Sequence, residues 1–269
     1  MSGFFAEWLK LREPYDAKAR NTDVLDAVVR AFAGYSSLAI VDLACGTGAT
    51  RRAISSRLAI RQSWRLVDND LSLLARAAPP TTKPDNAVAT IPIDIAHDLE
   101  AALDGPLDLV TTSALLDLVS PAWLERLAIE TAARRLPIYA ALTYDGRVTF
   151  QPTDALDAAM TDAVNQHQRS DKGFGPALGP SAAAAATARF KALHYSVVQG
   201  QSDWNFGPTD TDIQMEFLTG WASAAREIDR LALPDIVAWL TRRRDHVSAG
   251  HSSICVGHID FFADPIGRR

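Results

Sequence analysis

The chain has 269 residues, 48% of them hydrophobic, and its 27 basic and 32 acidic residues leave a formal net charge of -5. That length supports one sizeable core, while the interspersed charges offer no basic stripe for a phosphate backbone, so nucleic acid is not an expected partner. Cys45 and Cys255 are the only cysteines and lack metal-ligand spacing, so neither a disulfide framework nor a metal site is expected.

The opening stretch MSGFFAEWLKLREPYDAKAR is interrupted by charges every few residues and lacks the apolar centre of a signal peptide. No apolar run approaches the roughly 20 residues that span a bilayer. The expectation is a cytoplasmic protein without a membrane partner, monomeric or homodimeric. Residues 3 to 34 read as helical from the spacing of Trp8, Leu9, Leu11, Val24, Leu25, Val28 and Phe32, with Pro14 expected to break the first segment.

Short β-type runs follow at 38–43, 63–68, 87–94, 107–114 and 137–144, with helical patterns at 49–60, 70–78 and 121–135 between them. This alternation predicts an α/β fold with a parallel sheet covered on both faces. A helix is expected over 153–168. The stretch SDKGFGPALGPS, 170–181, is too rich in glycine and proline for regular structure. The alanine run behind it favours helix, with Ser181 a candidate N-cap. Two further strands are expected at 192–200 and 252–262, with helices over 210–229 and 234–246 between them.

The stretch VDLACGTGATRRAI, residues 41–54, carries the chemistry. Gly46 and Gly48 lack a Cβ, so the chain can turn sharply and approach a ligand closely, and the helix behind them would present free N–H groups. A dinucleotide fingerprint, Gly-x-Gly-x-x-Gly, would place its third glycine at Arg51, which weighs against a nicotinamide-dependent oxidoreductase.

VDLACGTG resembles the first motif of the class I S-adenosylmethionine-dependent methyltransferases, with Asp42 at the acidic position, Gly46 and Gly48 at the later glycines, and Ala44 where glycine is common. Three further matches follow in order: WRLVDND, TIPIDIAHDL and PLDLVTTSALLDLVS. The resemblance covers residues 38 to about 145 and implies a Rossmann-like seven-stranded, mostly parallel sheet with S-adenosylmethionine as cofactor. It implies that Asp68 accepts hydrogen bonds from the ribose, with Asn69 beside the adenine, Asp94 on its amino group and Ile95 on the ring. Ala44, Cys45, Ser113, Ala114 and Leu115 would lie against the ligand, and Arg20 of an N-terminal cap, residues 1–34, would pair with its carboxylate.

The resemblance transfers no histidine acid–base pair, because Leu116, Asp117 and Leu118 stand after the fourth motif. It also implies a cover built from the N-terminal helices and from the segment after the fifth strand. The domain plan is therefore a single methyltransferase domain: a cofactor core at 38–150, a helical and loop insertion at 151–191, and a C-terminal part, 192–269, completing the sheet. The glycine-rich loop with His167, Arg169, Asp171 and Lys172, together with Tyr144 and Asp145, is the expected acceptor side. Trp204, Asn205 and Phe206 suit a small-molecule methyl acceptor, methylated at oxygen or nitrogen. His194, His246, His251 and His258 are read as structural. The alternative is a noncatalytic binding or regulatory protein that keeps the pocket.

Overall fold

The computed structural model describes residues 6–78 and 86–268. Two helices, α1 (Ala6–Ala19) and α2 (Thr22–Ala31), precede β1 (Ser37–Leu43), α3 (Ala49–Ile54), β2 (Arg61–Asp68), α4 (Leu71–Ala77) and β3 (Asn86–Pro92). Next come α5 (Leu99–Ala102), β4 (Leu109–Ser113), a 3-10 turn (Leu116–Leu118), α6 (Pro121–Ala133), β5 (Ile138–Gln151) and α7 (Asp157–His167). The chain ends with α8 (Ala182–Ala192), β6 (Tyr195–Gln201), β7 (Trp204–Phe206), α9 (Thr211–Glu227), α10 (Leu233–Ser248) and β8 (Ser253–Pro265).

The strands form one sheet in the order β3-β2-β1-β4-β5-β8-β6, with β7 on β8. Strands β1 to β5 pair in parallel, while β8 runs antiparallel between β5 and β6. The connections diverge between β1 and β4, so the carboxyl ends of these two strands flank the crevice where such sheets bind ligands. Alternate residues of β1 enter two different clusters. Val41 and Leu43 pack with Leu127, Phe190 and Phe261, and Leu38 and Ile40 pack with Val28, Phe32 and Trp64. This period-2 division over a two-faced sheet is what the near-continuous apolar strands required.

A third cluster lies beyond the main sheet. β5 and β8 continue as an antiparallel ribbon, Val148 to Gln151 against Ser253 to Val256, joined by β7. Phe150, Trp204, Phe206 and Val256 of this ribbon pack with Met160, Phe217 and Trp239 from α7, α9 and α10.

Several expectations change in detail. The sheet has eight strands rather than seven: β7 is three residues long, below the length at which alternation is readable. α1 runs unbroken through Pro14, because Arg12, Tyr15 and Asp16 are held by partners on both sides of it. The break falls at Asn21, whose Oδ1 accepts from the Val24 N–H and caps α2. Ser181 does occupy the N-cap position of α8, but with helical dihedrals and no capping bond, because its hydroxyl donates to the Leu178 carbonyl. The expected helical residues 3–5 lie outside the described residues. No helix among the described residues is long and apolar enough to cross a membrane.

Candidate functional site

The glycine turn leaves β1 at Leu43 and reaches α3 through left-handed backbone at Ala44 (φ 51), Gly46 (φ 54) and Gly48 (φ 80). Two bonds hold it: the Cys45 N–H donates to the Val67 carbonyl of β2 at 2.9 Å, and within the turn the Gly48 N–H donates to the Cys45 carbonyl at 2.8 Å. Cys45 itself is buried, which pushes its thiol well above the usual range. A Cβ built on Gly46 would lie 3.3 Å from Leu9 Cδ1, so α1 rests on the turn. Ala114, just past β4, is also left-handed, at φ 50. Both strands flanking the crevice therefore end in a strained alanine, at a cost of about 1–2 kcal/mol each. Strain of this kind concentrates where a fold shapes a binding surface.

Asp68 joins β2 to the turn. Its Oδ2 accepts from the Gly46 N–H at 2.8 Å and its Oδ1 from the Asp70 N–H at 3.0 Å. Each carboxylate oxygen retains acceptor capacity. Asn69 beside it is exposed. Asp42 is fully buried; its Oδ1 accepts from the Thr111 hydroxyl at 2.8 Å, and its Oδ2 has no partner. Burial pushes this carboxyl up to about 7, against the opposing pull of the Thr111 bond and the Arg20 charge.

Arg20 is buried, and one of its terminal nitrogens donates to the Tyr139 hydroxyl at 3.1 Å while the other reaches Thr50 and Ser113 at 3.4 Å. Its Nε has no partner. Asp94 lies two residues past β3 and turns toward its own loop, accepting from the Ala96 N–H at 3.0 Å and lying 3.1 Å from the His97 ring. Ile95 and Leu115 are both buried within the first cluster, and the Ile95 carbonyl accepts from the Trp123 indole at 2.7 Å.

The inner stripe of α1 is charged where an ordinary packing helix would be apolar. Arg12 and Asp16, and Arg20 one residue past the helix end, stand four residues apart and are all buried. Arg12 donates to Asp16 at 2.8 Å and lies over the Trp204 ring, and Asp16 accepts from the Trp204 indole at 2.9 Å. Asp16 and Arg20 line a cleft of about 140 Å³ against Ala49 and Arg52 of α3. Glu13 crosses to Arg52 at 2.5 Å, and Glu7 to Arg76 at 3.2 Å.

The expected acceptor side is arranged differently. His167 ends α7, where its ring lies 2.9 Å from Glu227 and 3.3 Å from the Lys172 ammonium. Nothing among the described contacts joins it to the glycine turn, so the structure does not bring His167 to the cofactor residues. Tyr144 is buried in the third cluster and donates to Asn165 at 2.7 Å. Asp145 accepts from Arg147, which also reaches Asp203 at 2.9 Å.

Two side chains given no site role in the sequence are buried beyond the fourth and fifth strands. Asp117, in the turn after β4, is 5% exposed, and its Oδ1 has no partner. His258 on β8 is equally buried, with Nδ1 donating to the Val256 carbonyl at 3.0 Å and its ring 4.7 Å from that of Trp204. Burial, and secondarily the Arg12 charge, hold it neutral down to about pH 3. Only the residue type at 117, a carboxylate behind the fourth motif, offered any signal in the sequence.

No protein-family model matches the sequence, and no curated protein matches it. The structure is similar to a cyclopropane-fatty-acyl-phospholipid synthase-like protein from Lactobacillus casei, with a TM-score of 0.51 and 12% identity over 93% of this chain and 98% of that one. It is also similar to the YcgJ protein from Bacillus subtilis, at 0.48 and 12% over 91% and 99% of the two chains. A cyclopropane synthase from Mycobacterium tuberculosis follows at 0.46 and 10% over 89% and 82%. The first likeness shows the fold: the chain carries the doubly wound, Rossmann-like sheet that its resemblance to the class I methyltransferases implied.

Proposed function

We propose that the chain is an S-adenosylmethionine-dependent methyltransferase acting on a small molecule at oxygen or nitrogen. The observation that carries this reading is the convergence of the glycine turn, the Asp68 carboxylate and two orphaned buried atoms, Asp42 Oδ2 and Arg20 Nε, on the crevice between β1 and β4. An adenosine bearing an amino acid and a positive sulfur suits this donor and acceptor set. Asp68 would accept the ribose hydroxyls through its remaining lone pairs, and Arg20, already beside Ser113 and Thr50, would take the carboxylate. The turn around Gly46 would bring the backbone against the amino-acid portion.

The cofactor supplies a methyl carbon attached to a positively charged sulfur. The protein's remaining work is to align the acceptor and to exclude water. The charged stripe of α1 and its ion pairs to α3 and α4 close the crevice from outside. α1 rests on the glycine turn through Leu9 and is tied down by Glu13–Arg52 and Glu7–Arg76, so it would swing outward to admit the cofactor.

The test incubates the purified protein with methyl-labelled S-adenosylmethionine and a small-molecule cell extract. Label in an oxygen- or nitrogen-methylated product supports the reading. Binding without transfer of label would make the chain a noncatalytic binding protein, and label on carbon would move the chemistry to another acceptor class.

A further inference from the structure

We propose that Asp117 is the residue that faces the methyl acceptor and takes its proton, so that the attacking atom of the acceptor carries an O–H or N–H. This inference rests on the methyltransferase reading and adds a residue and an acceptor property to it.

The argument begins with position. Asp117 lies in the 3-10 turn after β4, four residues past Ser113, which touches Arg20; the turn packs on β5, where the Tyr144 backbone acts on its carboxyl. That is the acceptor end of the crevice if Arg20 holds the carboxylate end of the cofactor. The carboxyl is buried, yet Oδ1 has no hydrogen-bond partner. A buried carboxylate oxygen without a donor costs on the order of 1–3 kcal/mol or more; such a group calls for an explanation, and a bound acceptor that donates to it supplies one.

The surroundings do not neutralise it. Arg12 of α1 is the nearby cation, and its Nε–H is directed to Asp16. Tyr144 of β5 gives its hydroxyl to Asn165. The turn Gly179–Ser181 carries no ionisable group, and of the two basic residues of α8, Arg189 is paired with Glu125 while Lys191 is exposed. His258 stays neutral. Burial accordingly raises the Asp117 carboxyl to about 6, with Arg12 and nearby backbone amides drawing it down. A base of that strength is ionised at neutral pH and still able to receive a proton.

The balance of the step is simple. The lone pair of the acceptor atom forms the new bond to the methyl carbon as the carbon–sulfur bond breaks, with that electron pair staying on sulfur as a neutral thioether. The proton leaving the acceptor atom passes to Asp117 Oδ1 and then to solvent. The positive charge of the sulfonium and the negative charge of the carboxylate are both consumed.

Asp117→Asn keeps the shape and removes the base. It should bind S-adenosylhomocysteine within about twofold of the parent protein, while transfer of label from methyl-labelled S-adenosylmethionine into the cell extract falls at least about 100-fold. The parent rate should drop below pH 6 through one ionisation, and that acid limb should be absent from the residual rate of Asp117→Asn. Infrared difference spectra, parent minus variant, should show one carboxyl titrating near pH 6, a readout independent of turnover. Normal transfer with an unchanged acid limb, or no titrating carboxyl in the difference, would overturn the assignment to Asp117. Loss of S-adenosylhomocysteine binding by the parent itself would instead overturn the methyltransferase reading and this inference with it. If Asp117→Asn does not fold, Asp117→Glu carries the test: a displaced acid limb supports the assignment and an undisplaced one contradicts it.

Discussion

Ala44 and Ala114 end adjacent strands in left-handed backbone, and the polar atoms left unpaired around them, on Asp42 and Arg20, are buried. Both features are costly to a protein that only has to fold. At the same scale, His258 makes stability depend on pH in a definite direction. Its ring stays neutral in the folded chain down to about pH 3, whereas in the unfolded chain it protonates near 6.5. Between those values the unfolded state binds one more proton, so this contribution is present above about 6.5 and is lost as pH falls toward 3. The buried carboxyls Asp42 and Asp117 act in the opposite sense: their raised values favour the folded state in acid, and that contribution disappears as pH rises through about 7 and 6. His258→Asn retains a donor for the Val256 carbonyl and removes the titration. Relative to the parent, it should gain stability by up to about 1.4 kcal/mol per pH unit between pH 6 and 4, read from urea midpoints. Identical pH slopes would show that the ring is not held neutral.

Among the elements, α1 has the most distinctive task. Its inner stripe of Arg12, Asp16 and Arg20 reaches Trp204, Tyr139 and Ser113, and its outer flank is tied by Glu13–Arg52 and Glu7–Arg76. A partly exposed ion pair is worth about 0.2–1 kcal/mol. Glu13→Gln should therefore speed association of S-adenosylhomocysteine by about two- to fivefold, measured by stopped-flow quenching of tryptophan fluorescence, with Trp8 and Trp204 close to the moving helix. An unchanged rate would mean that α1 does not gate entry. The periodicity of α1 was readable in the sequence, but its continuity through Pro14 was not, because the groups that fasten it, Asp210 and Trp204, lie some 190 residues away.

Across the whole molecule, the alternation of apolar strands and helical stretches up to residue 145 is legible because a parallel sheet buried on both faces must be written that way. The motif order put Asp42 and Asp68 at the ends of β1 and β2 and Gly46 and Gly48 in the turn behind β1, and those are their positions in the fold. The acceptor side was not legible for a different reason. The polar loop at 170–181 drew notice by composition, yet His167 is engaged by Glu227 and Lys172. Asp117 and His258 matter through burial and through neighbours such as Arg12 and Trp204, contacts that no spacing along the chain encodes. Likewise α9 and α10, read as completing the sheet, pack with α7 and the β5–β8 ribbon into a third core beside the crevice.

The central claim is that the turn at Gly46 and the Asp68 carboxylate together hold an adenosine carrying an amino acid. Calorimetric titration of S-adenosylhomocysteine into the parent protein and into Asp68→Ala tests it directly. Saturable one-to-one binding is expected, weakened by Asp68→Ala by about 1–3 kcal/mol, or about 5- to 150-fold in Kd, in a variant that remains folded although it loses the bonds to Gly46 and Asp70. An absence of heat at saturating ligand, equal affinity in both proteins, or preferential binding of a nicotinamide dinucleotide would contradict it.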